Sequence, residues 1–117
     1  IKTHIKDLPM HSQITLYKQI HPKQCDGLAK LGFKSLINLR FDDEIKGQPK
    51  GYDIAQSAKN AGLSYHTLPI GIDDIHLAQA QAFADLINNA PKPVMVFCGT
   101  GSRAKRLYQC AVVSGLI

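Results

Sequence analysis

Short apolar clusters recur along the chain, each cut off by glycine or proline, and their spacing predicts alternating strands and helices. Ile14, Thr15, Leu16 and Tyr17 alternate weakly and read as a first strand at a sheet edge. Pro22 suits the first turn of a helix, Cys25, Leu28 and Leu31 then fall on one face, and Gly32 supplies the stop. Residues 33–39 predict a second strand centred on Leu36 and Ile37, whereas 40–50 are polar, contain Gly47 and Pro49, and read as a loop. Residues 52–61 group Ile54, Ala55 and Ala58 on a helical face that ends at Gly62. A third strand over 63–68 closes at Pro69.

Asp73 and Asp74 precede a longer helix, about fifteen residues, whose core face carries Ile75, Ala78, Ala82, Phe83 and Leu86. Pro91 and Pro93 break the chain, and Val94 to Phe97 is apolar without alternation, as in a strand covered on both faces. A last helix opens near Arg103 and turns Ala104, Leu107, Tyr108 and Ala111 inward. Residues 1–13, with mixed charge and Pro9, read as an irregular lead-in. Strictly alternating strands and helices predict one α/β domain over 1–117: three layers, with a mainly parallel sheet of four to five strands between helices. In such sheets ligands sit beyond the carboxyl ends of the strands, and Arg40, Asp73, Asp74 and Cys98 all follow strands.

Composition narrows the picture only a little. With 117 residues, 44% hydrophobic and 20% charged, the chain can bury a core of its own, and no apolar run suggests a membrane span. The formal net charge of +5 suits either a solvated basic surface or attraction of anionic small-molecule or phosphorylated substrates. Nucleic-acid binding is not indicated, since Lys and Arg are scattered without interleaved aromatics. Three cysteines, Cys25, Cys98 and Cys110, form no Cys-x-x-Cys pair, so neither a disulfide framework nor a zinc site is expected. None of the five histidines has metal-ligand spacing, and His76, close to Asp74, is the one worth following. No metal or cofactor is expected, and a reduced, cytoplasmic compartment fits best. The chain starts at Ile1 rather than Met, which leaves room for an upstream segment such as a targeting peptide. Cys25 and Cys110 lie on apolar helical positions and read as core.

The chemistry concentrates in Cys98-Gly99-Thr100-Gly101-Ser102-Arg103. Successive N–H groups of a tight glycine-containing loop form an anion-binding concavity, and a helix N-terminus behind them adds positive partial charge. A cysteine at the lip of such a concavity is placed to act as a thiolate nucleophile. Arg103 supplies a planar, permanently charged fork for an oxyanion.

This stretch carries a family resemblance. The chain resembles the beta-lactamase-hydrolase-like phosphatase domain, a bacterial family related to the dual-specificity protein tyrosine phosphatases. Further support comes from Leu31-Gly32-Phe33-Lys34-Ser35-Leu36-Ile37-Asn38-Leu39-Arg40 with the acidic run after it, and from Asp74, placed 24 residues before Cys98. The resemblance runs from about Ile14 to the end, and related folds continue past the equivalent of Ile117. It implies a cysteine-phosphatase-like fold with Cys98 as nucleophile, Arg103 as oxyanion binder and Asp74 as general acid. Gly99, Thr100, Gly101, Ser102 and Arg40 would line the substrate pocket.

The pattern also departs from that family. Four residues separate Cys98 from Arg103, where tyrosine phosphatases have five, and the shorter loop is the length found in many rhodaneses. Phe97 replaces the histidine that usually precedes the cysteine, and Ala104 replaces the hydroxyl residue that follows the arginine. Three functions therefore stay open: a phosphatase working through a phosphocysteine on Cys98, a sulfurtransferase carrying a persulfide on Cys98, and a non-catalytic anion-binding regulatory module. Residue roles stay open too. Asp74, or Asp73, either donates a proton or caps the helix that follows, Arg40 either lines the pocket or is a loop charge, and Asn38 is expected to stabilise a turn at the strand exit.

Overall fold

The computed structural model describes residues 13–117, so the lead-in expected over 1–13 lies outside the described residues except for Gln13. Four strands alternate with four helices: β1 (Ile14–Tyr17), α1 (Cys25–Lys30), β2 (Ser35–Asn38), α2 (Gly51–Asn60), β3 (Ser64–Thr67), α3 (Leu77–Asn89), β4 (Val94–Phe97) and α4 (Ser102–Val113). A 3₁₀ turn, Pro22–Gln24, leads into α1. The strands form one sheet in the order β1-β4-β2-β3, and every pairing is parallel.

The pleat sends neighbouring residues of each strand to opposite faces, which builds two cores rather than one. Ile37, Val94 and Val96 join Phe83 and Ile87 of α3 and Leu107 and Ala111 of α4. Leu36, Met95 and Phe97 join Cys25 and Leu28 of α1 and Ile54 and Ala58 of α2. All four residues of β2 and of β4 are buried, which explains why β4 shows no alternation in sequence. The three-layer α/β arrangement agrees with the sequence expectation, with β1 at a sheet edge as predicted.

Some details differ. The strands over 33–39 and 63–68 are shorter than expected, Ser35–Asn38 and Ser64–Thr67, although the Leu39 N–H still donates to the Phe97 carbonyl at 2.9 Å and the Leu68 N–H to the Asn38 carbonyl at 2.8 Å. Leu31 is exposed rather than part of the α1 face. A strict three-residue spacing falls short of the helical repeat of about 3.6, so the second step from Cys25 has already rotated away from the core. In α3 the buried face is Ala80, Phe83, Ala84 and Ile87, while Ala78 is exposed and Ala82 and Leu86 are half-buried. The predicted stripe starts from Ile75, which packs against the core but precedes the helix. Neither Asp73 nor Asp74 caps α3: His76 occupies the N-cap position and makes no side-chain capping bond. Cys25 is buried as expected, whereas Cys110 is only half-buried against the α3–α4 core.

Candidate anion-binding site

The sheet order sets the site. Because β4 lies between β1 and β2, the loop leaving its carboxyl end emerges between the exits of those two strands, where an open parallel sheet leaves a crevice. Cys98 is the first residue beyond β4, Gln19 follows β1 and Arg40 follows β2. The Cys98 N–H donates to the Tyr17 carbonyl at 3.4 Å and the Gln19 N–H to the Gly99 carbonyl at 3.3 Å, tying the loop to the β1 exit.

The loop then turns sharply into α4. Gly101 has φ +94°, a left-handed conformation open to glycine at little cost, and its N–H donates to Cys98 Sγ at 3.1 Å. Cys98 itself is fully buried. Gly99 leaves room for two side chains: a Cβ there would lie 3.3 Å from Arg40 Cζ and 3.5 Å from Arg103 Nη2. Both guanidiniums therefore close on the same backbone position, directly beside the cysteine.

Arg40 and Arg103 are each only 7% exposed, so their charges need partners. Both find the same one, Glu44. Glu44 Oε1 accepts from Arg40 Nε at 2.7 Å and from Arg103 Nη2 at 2.7 Å, while Oε2 accepts from Arg103 Nη1 at 2.8 Å and from the Phe41 N–H at 3.0 Å. Arg103 Nη1 also donates to the Ile70 carbonyl at 3.0 Å, and Arg40 Nη1 to Gln19 Oε1 at 2.8 Å. The bonds from Arg103, followed by those from Arg40 and Phe41, hold the Glu44 carboxyl down at about 2. Reciprocally, the bonds to Glu44 raise Arg103.

The 40–50 loop is built to present this carboxylate. Asn38 Oδ1 accepts the Arg40 N–H at 2.9 Å, the side-chain turn expected at the strand exit, while Asn38 Nδ2 donates to the Tyr65 hydroxyl at 3.0 Å. Gln48 then braces the loop from inside, its Nε2 donating to the Phe41 carbonyl at 2.8 Å and its Oε1 accepting the Glu44 N–H at 3.1 Å. Asp42 accepts the Gly51 N–H at 2.8 Å, and Lys50 pairs with Asp43 at the surface.

Above the cradle opens a cavity of about 590 Å³. Gly99, Thr100, Ser102 and Arg103 line it from the cysteine loop, Arg40 and Glu44 from the β2 exit, and Arg106 from the next turn of α4. Arg106 Nη1 donates to the Ile72 carbonyl at 3.3 Å. Of the residues singled out from sequence, Gly99, Thr100, Ser102, Arg103 and Arg40 line this cavity, while Cys98, fully buried, and Gly101 belong to the same loop but not to the lining. Asp74 is exposed, its side chain makes no hydrogen bond among the described residues, and it is not part of the cavity lining. Its carboxylate lies against Gly71, which does line the cavity: a Cβ on Gly71 would meet Asp74 Oδ2 at 2.7 Å. His76 donates its backbone N–H to the Asp74 carbonyl at 3.1 Å, and its side chain stands apart from the cavity lining. Among the described residues no group of three or more His, Cys, Asp or Glu could hold a metal ion, and no helix is long and apolar enough to cross a membrane.

Glu44, Gln19 and Arg106 were not singled out from sequence. The acidic run after Arg40 carried the signal for Glu44, but three adjacent acids, Asp42, Asp43 and Glu44, left open which one turns inward.

Comparison with known proteins bears on the family and the fold. The family model described as "Beta-lactamase hydrolase-like protein, phosphatase-like domain" matches residues 8–114. A beta-lactamase hydrolase-like protein of Xylella fastidiosa is 34% identical over 110 residues, covering 93% of this chain and 25% of its own length. One from Agrobacterium fabrum is 33% identical over 104 residues, covering 89% and 24%. The chain therefore spans about a quarter of the length of the curated relatives it matches. Among solved structures, a "putative phosphatase" from Neisseria meningitidis superposes with a TM-score of 0.79 at 30% identity, over 86% of this chain and 72% of the other. A structure from Shewanella putrefaciens shares the fold with a TM-score of 0.73 at 22% identity, over 92% and 71%.

Proposed function

Since the chain belongs to the phosphatase-like domain family of the beta-lactamase hydrolase-like proteins, we propose that it is a cysteine-dependent phosphatase of the dual-specificity type acting on anionic monoesters. The observation that carries this reading is the convergence of Cys98, the Gly101 N–H and two guanidiniums on the backbone at Gly99. The Cys98 thiolate attacks phosphorus and the bond to the leaving oxygen breaks. Asp74, from its place beside Gly71, gives that oxygen a proton. Loop N–H groups and the Arg103 fork stabilise the charge that grows on the equatorial oxygens, and Arg40 adds a second cation. Water then attacks the phosphocysteine, phosphate departs and the thiolate returns.

Glu44 serves this scheme as a positioning residue. A buried arginine with several rotamers gains a fixed plane from a bidentate carboxylate. Glu44 and the Ile70 carbonyl take three of the five donors of Arg103, and in this reading the other two meet the incoming oxyanion.

A second reading, sulfur transfer, draws on two observations: the four-residue spacing from Cys98 to Arg103, and the absence of Asp74 from the cavity lining. Here Cys98 takes the sulfane sulfur of a donor such as thiosulfate, sulfite leaves, and the persulfide passes the sulfur to an acceptor. No general acid is needed.

One parallel assay separates the two. Release of phosphate from p-nitrophenyl phosphate and formation of thiocyanate from thiosulfate and cyanide are followed for wild type, Cys98→Ser and Asp74→Asn. The phosphatase reading expects phosphate release that is lost in Cys98→Ser, with Asp74→Asn impaired most on esters of poor leaving groups. Thiocyanate formation alone, indifferent to Asp74→Asn, would replace it with the second reading. Neither product from wild type would leave an anion-binding module.

A further inference from the structure

The cavity over the cradle is much larger than a bare oxyanion requires, and two of its walls are apolar. At about 590 Å³ it falls among cavities that enclose whole organic ligands. Ile45, from the loop that carries Glu44, and Ile72, from the segment before α3, both line it. They are 61% and 64% exposed, so neither is needed to fill the core. Isolated exposed isoleucines are ordinary, but here two from separate loops line one cavity beside the Gly99 to Arg103 loop. The charge is also one-sided: three guanidiniums, Arg40, Arg103 and Arg106, face the single carboxylate of Glu44.

From this pairing we propose that the site takes an anion carried directly on an apolar group, an aromatic ring or an alkyl chain, and that Ile45 and Ile72 determine this preference. The proposal rests on the anion-binding part of the reading above and specifies its substrate class. The anionic head seats on the loop at Gly99 to Arg103, and the apolar body lies against the two isoleucines, removing their surface from water. A sugar or another strongly hydrated group in the same place would have to give up water against aliphatic side chains that return no hydrogen bond.

Equilibrium binding of methylphosphonate, phenylphosphonate and hexylphosphonate to the wild-type chain, measured by calorimetry, tests this without requiring turnover. Phenylphosphonate and hexylphosphonate are expected to bind at least tenfold tighter than methylphosphonate, a difference equivalent to about 1.4 kcal/mol. Ile45→Ser and Ile72→Ser should each narrow that gap several-fold. Leu31→Ser, at an exposed apolar residue outside this cavity, should leave the gap unchanged. Equal affinity for the three phosphonates, or a gap undiminished in both isoleucine variants, overturns the proposal. Preference for only one of the two apolar ligands supports it and identifies ring or chain as the natural body. A chain that hydrolyses nothing but keeps the gap sinks the phosphatase reading and leaves this one standing. Hydrolysis of p-nitrophenyl phosphate without the gap sinks this one alone, and no binding of any phosphonate sinks both.

Discussion

Replacing Glu44 by glutamine tests the centre of the site, because it keeps the size of the side chain and removes the charge that two buried arginines share. Glu44 accepts three bonds from guanidiniums at 2.7 to 2.8 Å and one from the Phe41 N–H. Removing one partner of a fully buried ion pair costs about 3–5 kcal/mol, since the other charge stays behind uncompensated. The Glu44 side chain is 20% exposed, so water and screening reduce that cost, and glutamine retains one oxygen acceptor. About 2–3 kcal/mol remains. The pH linkage gives a figure of the same size. The carboxyl falls from 4.5 to about 2 on folding, which at about 1.4 kcal/mol per pH unit amounts to about 3 kcal/mol before solvent screening.

The linkage also fixes the direction. A carboxyl with a depressed folded value stabilises fully above its unfolded value, and the contribution disappears as pH falls through the folded one. Here that window runs from about 4.5 down to about 2. At pH 7, Glu44→Gln should lower the melting temperature by about 8–12 °C, taking about 4 °C per kcal/mol for a domain of this size. In urea titrations at successive pH values, the difference between wild type and variant should shrink below pH 4.5 and be nearly gone at pH 2. Equal stability at pH 7, or a deficit that persists undiminished into acid, refutes the reasoning. The first outcome would mean that the arginines find other partners, and the second that packing rather than charge carries the effect.

Other substitutions probe separate parts of the design. Gly101→Ala forces a side chain into left-handed backbone and should destabilise by about 1–3 kcal/mol, read as a shift of the urea midpoint at unchanged slope. Gly99→Ala has an ordinary conformation but pushes its methyl onto Arg40 and Arg103. It should weaken phosphate binding at least tenfold in calorimetry while changing stability by less than about 1 kcal/mol. Arg103→Lys keeps the charge but loses the fork, and should reduce kcat/KM for p-nitrophenyl phosphate by a factor of about 100 or more. Phe83→Ala, in the fully buried face of α3, should cost about 3–5 kcal/mol in urea unfolding.

The fold was legible in the sequence where apolar runs and glycine stops coincided, as at Val94 to Phe97 and at Gly32 and Gly62, both with positive φ. It was less legible in α3. Alanines at 78, 80, 82 and 84 give every helical face an apolar residue, so only Phe83 and Ile87 carry strong phase information. The cysteine loop was also visible, because consecutive residues supply its chemistry. Glu44 was not, since its role depends on how the loop after β2 folds back toward a helix 59 residues further on. Gln48, whose two polar ends fix that fold, has no signature of its own.

The two arginines also bear on the short loop. With four residues between Cys98 and Arg103, the loop offers one N–H fewer than the longer tyrosine-phosphatase loop does. In the structure the space beside Gly99 is taken by Arg40, which comes from a different strand and is locked by Glu44 and Gln19. A guanidinium carries full charge and several donors, more than a single peptide N–H contributes. If Arg40 makes up the missing donor, Arg40→Gln should weaken phosphate binding about as strongly as Arg103→Lys does, despite lying 58 positions before Cys98. If Arg40 only balances Glu44, the double variant Arg40→Gln with Glu44→Gln should recover the affinity that the single change loses. Calorimetric titration of phosphate into the four proteins of that cycle separates the two cases: persistent loss in the double variant assigns Arg40 to the anion, and recovery assigns it to Glu44.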